Sequence, residues 1–420
     1  MKYKKHKILV IKNNRARGWF ISKALIQEGY DVVYLTNLSV KEWDRINIKK
    51  NRGKIIGMDY IEGIKVIAVP ILNISWLNRN FIAKLIMRLS FSISLFLSLP
   101  FIHSIDAIIN CNPHPFTDFF TIFLKKIKGS KSIIDISDYE LESIKKIKIN
   151  KVLFQIMNIL GYILLKIFYN KSDVIITHTT SVKKIMSRYT NKPQYTLYNS
   201  INTNRFKPLS KKIIKNTLPI KFKNLIYTQK KLFMYVGKYG PIQNLTKILK
   251  LAKQIYKFNS NLFIFVGEGE DEYNLKKYVK ENSIKNVIFF DYQPWNIIPY
   301  IINLSDACLV SLADDALWSM TIPSKFFEYA ACGKAIIGLC PEGEVTNLIN
   351  KWQCGVTYSS TNLEEFAKIV NNLVNNKELL HIMGKNARNM AENLFSLKNS
   401  GNKLNIIIES TLNINRKDKE

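Results

Sequence analysis

Paired cysteines are missing from this chain. It has five cysteines in 420 residues, and no two of them are separated by the two residues typical of a metal-binding or redox pair. This pattern argues against a disulfide scaffold and against a zinc site, and it favours reduced thiols in a cytosolic protein. The cysteines are Cys111, Cys308, Cys332, Cys340 and Cys354.

Long uninterrupted apolar runs are also scarce. The basic N-terminus leads into an apolar run of only about five residues, where a signal peptide needs roughly 7–15, so we expect a first β-strand there. Residues 81–102 are long enough to span a bilayer but contain Lys84 and Arg88, and residues 152–168 reach only the short limit. We expect two helices with wide apolar faces, which either pack into a core or dock on an anionic membrane surface.

Acidic residues are the third scarcity. Thirty-two Asp and Glu stand against 62 Lys and Arg, giving a formal net charge of +30, and only 13 of the acids lie in residues 1–200. This excess suits nucleic acid, anionic lipid or phosphorylated substrates, although the abundance of Lys, Asn and Ile together also indicates a general compositional bias. The basic residues are dispersed and form no recognised binding motif, which disfavours a nucleic-acid partner.

The chain does contain a regular alternation of short apolar runs and amphipathic stretches, typical of an α/β fold with parallel sheets covered by helices. A polar, Lys-rich stretch at 204–231 interrupts the alternation and is the best linker candidate. We predict two doubly wound, Rossmann-like domains, 1–205 and 206–395, with a helix at 396–412 packing back on the first. The predicted strands are 7–11, 31–35, 65–69, 107–111, 132–136, 173–177, 194–197, 232–237, 262–267, 286–290, 307–312 and 334–339.

A glycine-bounded turn, YVGKYG (Tyr235–Gly240), ends the first predicted strand of the second domain. Glycine lets backbone amides approach an anion, and the N-terminus of the following helix favours negative charge. Gly237, Lys238 and Gly240 are therefore candidates for a phosphate site, although any strand–helix joint can need a glycine. A second turn, VGEGEDEYNL (Val266–Leu275), places acids where they would mainly cap a helix.

The stretch IPSKFFEYAACGKAIIG (Ile322–Gly338) predicts a mostly buried helix that begins near Ser324 and ends at Gly333. Lys325 and Glu328 are three residues apart and lie on neighbouring helical positions. They form either a surface ion pair or, because a buried charge is costly without a partner, a ligand site with a lysine for phosphate and a glutamate for hydroxyls.

Together with this stretch, several pieces of the chain resemble glycosyltransferase family 4, in the same order, over most of residues 6–395. The most similar branch is the fucosaminyltransferase-like one, which acts in bacterial surface polysaccharide synthesis. The resemblance implies a GT-B fold, with two facing Rossmann-like domains and a cleft between them, and sugar transfer from a nucleotide-diphosphate donor. The other similar pieces are KILVIKNNRARGWFISKALIQEGYDVVYLT, DAIINCNPHPFTDFF, SIIDISDYELES, SDVIITHTTSVKKIM, LYNSINTNRFKP and GEVTNLINKWQCGVTY.

On this resemblance, the donor lies in the C-terminal domain. Glu328 matches a glutamate that binds the donor ribose, and Lys238 with the turn glycines matches the diphosphate site. Further implied contacts are Lys325 as a second phosphate contact, Glu344 as an acid after the next strand, and Tyr292 and Gln293 beside the base. Ser324 is a candidate on other grounds, because the first turn of the predicted helix has exposed amides.

Three features depart from the family pattern. Met320 stands where the family has a glutamate that contacts the hydroxyls of the donor sugar. Lys238 replaces an arginine, which keeps the charge but loses bidentate geometry. Gln243 and Asn244 stand where a lysine is expected. The loss of the glutamate at position 320 fits a deoxy or N-acetylated donor sugar or, equally, a weak or inactive enzyme.

Two acceptor-side candidates follow predicted strands of the first domain. Asp138 could orient or deprotonate the acceptor hydroxyl, or it could simply cap the next helix. His114 could contact the substrate or belong to a structural, proline-flanked loop. Asp314 and Asp315 could suggest a metal, but the resemblance implies no metal and no other cofactor, because lysine and helix amides can meet the diphosphate charge.

The resemblance thus implies a transferase of a hexosyl or acetamido sugar with a retaining outcome. Its acceptor would be lipid-linked or a saccharide, in the synthesis of capsule, O-antigen or exopolysaccharide. We expect a cytoplasmic protein, peripheral on the inner face of a bacterial membrane, with its basic first half toward anionic lipid. Two alternatives stay open, a nucleotide-sugar epimerase on the same fold and an inactive partner protein that keeps the fold.

Overall fold

The computed structural model describes residues 6–13, 17–37, 56–72, 81–111, 113–136, 151–258, 261–358 and 362–417. The chain divides into two compact units. The first comprises Met1–Tyr198 with Leu397–Glu420, and the second is Asn199–Ser396. Each unit is built around its own β-sheet.

The sheet of the first unit has eight strands, β1 (Lys7–Ile11), β2 (Asp31–Asn37), β3 (Gly57–Ile61), β4 (Ile64–Val69), β5 (Ala107–Asn110), β6 (Lys131–Ile136), β7 (Val174–Thr177) and β8 (Gln194–Thr196). Their order is β3–β4–β2–β1–β5–β6–β7–β8, and all neighbours are parallel except β3 and β4. The chain winds outward from β1 to one edge and then from β5 to the other. The topological switch point, where ligands bind in such sheets, therefore lies between β1 and β5.

Helices cover both faces of this sheet, which is why its central strands are continuous apolar runs. One face is covered by α1 (Arg17–Gln27) and a C-terminal helix (Leu397–Lys417), through side chains that include Trp19, Leu25, Leu404 and Ile407. The other face is covered by α2 (Phe81–Ser94), a 3₁₀ helix (Leu95–Phe101) and α3 (Pro115–Lys128), with Phe91, Leu95, Phe120 and Leu124 buried. The remaining helices of this unit are α4 (Lys151–Lys171) and α5 (Thr180–Met186).

The sheet of the second unit has six parallel strands, β9 (Lys231–Val236), β10 (Asn261–Val266), β11 (Val287–Phe290), β12 (Ala307–Ser311), β13 (Ala335–Leu339) and β14 (Gly355–Thr357). Their order is β11–β10–β9–β12–β13–β14. The same winding argument places the switch point of this sheet between β9 and β12.

The α-helices of the second unit are α6 (Lys211–Thr217), α7 (Ile220–Ile226), α8 (Thr246–Ile255), α9 (Glu272–Glu281), α10 (Ile298–Leu304), α11 (Ala316–Ser319), α12 (Ser324–Ala331), α13 (Glu344–Trp352), α14 (Leu363–Asn375) and α15 (Lys377–Met390). The stretch at 204–231, a linker candidate by composition, forms α6 and α7. It is anchored because Ile214 and Phe222 are buried beneath its exposed lysines. Gly333 follows α12 in the left-handed conformation (φ +65°), which confirms the predicted glycine stop.

Candidate functional site

The second unit contains a cavity of about 870 Å³ beyond the carboxyl ends of its strands. Four segments line it: the turn after β9, the turn after β10, the loop after β11 and the start of α12. Its position beside β9 is the switch point of the sheet, and its volume falls in the range of small-molecule sites.

The two glycine turns pack directly against each other. The amide of Gly237 donates to the carbonyl of Val266 at 2.9 Å, and the amide of Tyr239 donates to the carbonyl of Glu268 at 2.8 Å. A Cβ added at Gly267 would lie 2.0 Å from the Gly237 carbonyl oxygen, and one at Gly269 would lie 1.9 Å from that of Tyr239. Only glycine fits between these turns, so their backbones form a fixed wall of the cavity.

This packing changes the interpretation of the second turn. The sequence suggested that its acids mainly cap a helix. Glu272 does lie in the first turn of α9, whereas the side chain of Asp271, at the N-cap, makes no capping hydrogen bond. The turn also contributes Gly267, Glu268 and Gly269 to the cavity wall. A Val-Gly pair ends both strands, at 236–237 and 266–267, and this shared pattern was the signal for the role.

Lys325 lies in the first turn of α12, and the end of its side chain packs against Gly237 of the first glycine turn. Its side chain is only 6% exposed, and its Nζ lies 4.6 Å from the centroid of the Tyr235 ring. A Cβ added at Gly237 would lie 2.9 Å from the Lys325 Cε, so this glycine makes room for the lysine. Burial lowers the pKa of Lys325 to about 8, and the nearby Glu328 carboxylate opposes that shift. The cation is therefore held where an anionic ligand would relieve its desolvation.

Glu328 lies one helical turn after Lys325 and also lines the cavity. Burial raises the pKa of its carboxyl to about 7, and the Lys325 ammonium opposes the rise. Among the described residues, Lys325 and Glu328 form no ion pair within 4 Å of each other, so the simple surface ion pair is not what the structure shows. A carboxylate in this position can accept hydrogen bonds from ligand hydroxyls.

The first turn also carries Lys238, which lines the cavity and lies 3.5 Å from Glu270 in an exposed ion pair. Its carbonyl accepts a hydrogen bond from the Tyr235 hydroxyl at 2.8 Å, which anchors the turn. Gly240, in contrast, does not line the cavity. A Cβ there would lie 3.1 Å from the Gln243 Oε1, and it is Gln243 that reaches the cavity wall.

The loop after β11 brings three side chains to the cavity. Tyr292 is exposed, whereas Gln293 is buried and donates through Nε2 to the carbonyls of Asp291 (2.8 Å) and Tyr292 (2.7 Å), which fixes the loop itself. Trp295 was not singled out from the sequence. The guanidinium of Arg205 lies 3.5 Å from its ring centroid, so one face of the indole is braced and the ring stands half-exposed at the cavity.

Ser324 is the first residue of α12 and lines the cavity beside Lys325. Glu344 does not line it: this residue begins α13 and is buried. Met320, at the end of α11, is likewise outside the cavity lining. The aspartates that suggested a metal have other roles, since Asp314 pairs with Lys247 at 2.6 Å and Asp315 caps α11 by accepting from the Leu317 amide.

The acceptor-side candidates belong to the first unit. Asp138 lies outside the described residues. His114 precedes α3, and its amide donates to the Thr117 Oγ1 at 3.1 Å. Burial, with a smaller contribution from Arg88, lowers the pKa of His114 to about 4, so its imidazole is neutral at pH 7.

Three charged residues at the carboxyl edge of the first sheet were missed from the sequence. Arg17 donates to both carboxylate oxygens of the buried Asp135, each at 2.7 Å, and to the carbonyl of Leu197. Lys12 directly follows β1, and its Nζ donates to the carbonyl of Cys111 at 2.6 Å. The partners are about a hundred positions apart in the chain, so no local pattern reveals them.

Residues 216–390 match the family model described as Glycosyl transferases group 1. The matched region covers most of the second unit. This match includes both glycine turns, the loop after β11 and α12, so the cavity lies inside the matched region.

Two relatives and one solved structure extend the comparison. An uncharacterized glycosyltransferase of Methanocaldococcus jannaschii is 25% identical over 258 residues, which cover 59% of this chain and 61% of the relative. WcaI of Escherichia coli K12, whose name assigns it to colanic acid biosynthesis as a glycosyl transferase, is 27% identical over 104 residues, 25% of each chain. This chain thus spans less than two thirds of these relatives.

Anabaena HepE, solved in complex with UDP-glucose, superposes with a TM-score of 0.66 at 13% identity, over 96% of this chain and 99% of HepE. Such a likeness over nearly the whole length shows the fold. The predicted GT-B architecture, with two parallel-sheet α/β domains, is confirmed.

Proposed function

We propose that this protein is a glycosyltransferase that moves a sugar from a nucleotide-diphosphate donor to a lipid-linked or saccharide acceptor. The observation that carries the proposal is the placement of Lys325 and Glu328 about one turn apart on one buried helix, both lining the same cavity. The lysine suits a diphosphate and the glutamate suits sugar or ribose hydroxyls. The group 1 domain match encloses both residues.

In the proposed reaction, an acceptor hydroxyl forms a bond to the anomeric carbon while the bond from that carbon to the diphosphate breaks. Negative charge then develops on the leaving oxygen, where Lys325, Lys238 and the first amides of α12 would stabilise it. The hydroxyl proton needs an acceptor; Asp138 and the neutral imidazole of His114 are proposed for this. The proposal includes a retaining outcome and neither a metal ion nor another cofactor.

Two comparisons support the substrate classes. The UDP-glucose complex of HepE supports a nucleotide-diphosphate sugar as donor, and the name of WcaI supports polysaccharide synthesis. We further propose that the protein belongs to the fucosaminyltransferase-like branch of family 4 and that the transferred group is a hexosyl or acetamido sugar. The proposed location is the cytoplasmic, inner face of a bacterial membrane.

The test incubates the purified full chain with UDP-, GDP-, dTDP- and CMP-sugars, with and without a membrane lipid extract, and measures release of free nucleotide. We expect lipid-dependent release from one donor class. Glu328→Gln should lower this release at least tenfold, because the carboxylate is lost with little change in shape. Glu365→Gln, at an exposed position of α14, is the matched control and should leave it unchanged.

Absence of release from every donor, with UDP still bound in a direct binding assay, would contradict the transferase and favour an inactive partner. Conversion of a UDP-sugar to its epimer without any acceptor would favour the epimerase. Both outcomes can be distinguished from a misfolded sample, because the folded protein binds UDP in each.

A further inference from the structure

The first unit exposes a concentration of large apolar side chains on α2, the adjoining 3₁₀ helix, α3 and α4. Twelve of the 27 large apolar residues that are exposed in the described part of the chain lie on these elements. Single exposed apolar residues are ordinary, whereas a group of this size marks an interaction surface. We call it the apolar face; its six most exposed members are Ile93, Phe119, Ile127, Ile159, Leu160 and Ile163.

The members of the apolar face lie on helices that touch one another. Helix α3 contacts both α2 and α4. Phe96 of the 3₁₀ helix packs on α3, with its ring centroid 6.5 Å from that of Phe119 and 5.4 Å from that of Phe123. The face is therefore continuous across the boundary between the 3₁₀ helix and α3.

Helix α4 shows the pattern of a helix that lies along an interface. Ile159, Leu160, Ile163, Leu164 and Ile167 follow the spacing i, i+1, i+4, i+5 and i+8, so they form one stripe, and they are between 39% and 60% exposed. None of the helices in the described part of the chain has the length and hydropathy that a membrane crossing requires. This geometry suits insertion of one helix face, and not of the whole helix, into an apolar layer.

The charge around the apolar face has one sign. Helices α2, α3 and α4 contain eight Lys and Arg and a single acid, Asp118, which is fully buried and accepts a hydrogen bond from Asn110. Lys125 is neutralised by Asp173 at 2.7 Å. Among the described residues, Lys126, Lys166 and Lys171 form no ion pair, and all three are exposed.

We infer that the apolar face docks on the surface of an anionic lipid bilayer, with the apolar stripe of α4 inserted between lipids and these lysines at the headgroups. Charge complementarity favours a bilayer as the partner. Its acidic headgroups lie above an apolar layer, and the face likewise has basic lysines beside apolar side chains. A second copy of the chain would instead bring one basic rim against another. The inference does not depend on transferase activity, because binding to lipid is measured without substrate.

The test measures co-sedimentation of the full chain with vesicles of phosphatidylglycerol and phosphatidylethanolamine, and with neutral phosphatidylcholine vesicles. We expect binding to the anionic vesicles only, and its loss on raising the salt to 0.5 M. Replacing Ile159, Ile163 and Ile167 together by Ser should reduce binding at least tenfold. These positions are exposed, so the fold is retained, as far-ultraviolet circular dichroism would verify.

The matched control replaces three isoleucines of the second unit that are at least as exposed, Ile213, Ile220 and Ile382, by Ser and should bind as the wild type does. A second variant, Lys126→Gln with Lys166→Gln and Lys171→Gln, should weaken binding on the order of 100-fold. Equal binding to neutral vesicles, or unchanged binding by the α4 variant, would overturn the inference. So would lipid-free self-association that the α4 variant abolishes, which would assign the face to a second copy.

Discussion

The two units place charged side chains at the same edge of their sheets and use them differently. In the first unit, Arg17 donates two hydrogen bonds to Asp135, so the protein itself compensates these buried charges. Among the described residues of the second unit, no hydrogen bond or ion pair joins Lys325 or Glu328 to another side chain. The Arg17–Asp135 pair thus braces the edge of the first sheet, because its two charges compensate each other. At the edge of the second sheet, a ligand would offset the desolvation of Lys325 and Glu328.

The largest expected effect comes from breaking the brace. Asp135→Asn leaves the buried Arg17 without its counter-charge, which should destabilise the first unit by about 3–5 kcal/mol. Amide hydrogen exchange of peptides from the first unit measures this loss separately from the second unit. Arg17→Met combined with Asp135→Leu should recover much of the stability, because no charge then remains buried. Unaltered exchange in Asp135→Asn would show that the pair is not a brace.

The opposite behaviour is expected for Lys325. Lys325→Met removes a buried cation that no carboxylate pairs with, so exchange in the second unit should be unchanged or slower. Affinity for a UDP-sugar should fall about 10–100-fold, because a hydrogen bond to a charged group contributes about 1.5–3 kcal/mol. Calorimetric titration measures the affinity, with Lys368→Met on α14 as the exposed control. A large loss of stability with unchanged affinity would show that Lys325 stabilises the fold, as the Arg17–Asp135 pair does, and does not bind the donor.

Trp295 offers a finer test of the same site. Its ring is braced on one side by Arg205, so we expect the other side to stack on the base of the donor. Trp295→Ala should lower the affinity for UDP about tenfold, in line with base stacking on aromatic side chains. Affinity for inorganic diphosphate should not change, because that ligand has no base. Equal losses for both ligands would mean that the indole shapes the phosphate site instead.

The smallest expected effect is a pH dependence of donor affinity, which Lys325 and Glu328 should produce and the Arg17–Asp135 pair should not. Donor affinity should be highest between about pH 7 and pH 8, where the Glu328 carboxyl is ionised and the Lys325 ammonium is protonated. It should fall about tenfold within one to two pH units on either side. Glu328→Gln should flatten the acidic limb and leave the alkaline limb in place, in titrations across pH 5.5 to 9.5. If this variant kept the acidic limb, Glu328 would be excluded as its source.

The stability of the second unit should respond with the sign that the pKa of Glu328 sets. The folded protein holds this proton more tightly than the unfolded chain, because the pKa rises from 4.5 to about 7. Glu328 therefore favours the folded state at low pH, and this contribution is lost as the pH rises through about 7. Compared with the wild type, Glu328→Gln should therefore be more stabilising for the second unit at pH 8 than at pH 5. Hydrogen exchange at the two pH values can measure this difference.

Much of the fold followed from the sequence because buried parallel strands are continuous apolar runs. All twelve predicted strands are present. The two that were missed, Gly57–Ile61 and Gly355–Thr357, lie at sheet edges, where a strand is half-exposed or very short and gives no apolar run.

The site residues could be predicted where a short, local sequence pattern places them. Gly237, Lys238, Lys325 and Glu328 sit in recognisable turn and helix-start patterns, and all line the cavity. Trp295 and the Arg17–Asp135 pair were missed because their roles come from partners distant in sequence, at positions 205 and 135. Gly240 and Glu344 were chosen by motif, but tertiary packing keeps both out of the cavity lining.

The C-terminal helix has a consequence for how the molecule is made. Leu404, Ile407 and Ile408 complete the core that surrounds Trp19, yet the ribosome adds them only after the whole second unit, Asn199–Ser396, has been synthesised. During translation the second unit can close its core first, although it comes later in the chain. The first unit must wait with an open apolar surface until the last helix emerges, so this is the half that we expect to recruit chaperones.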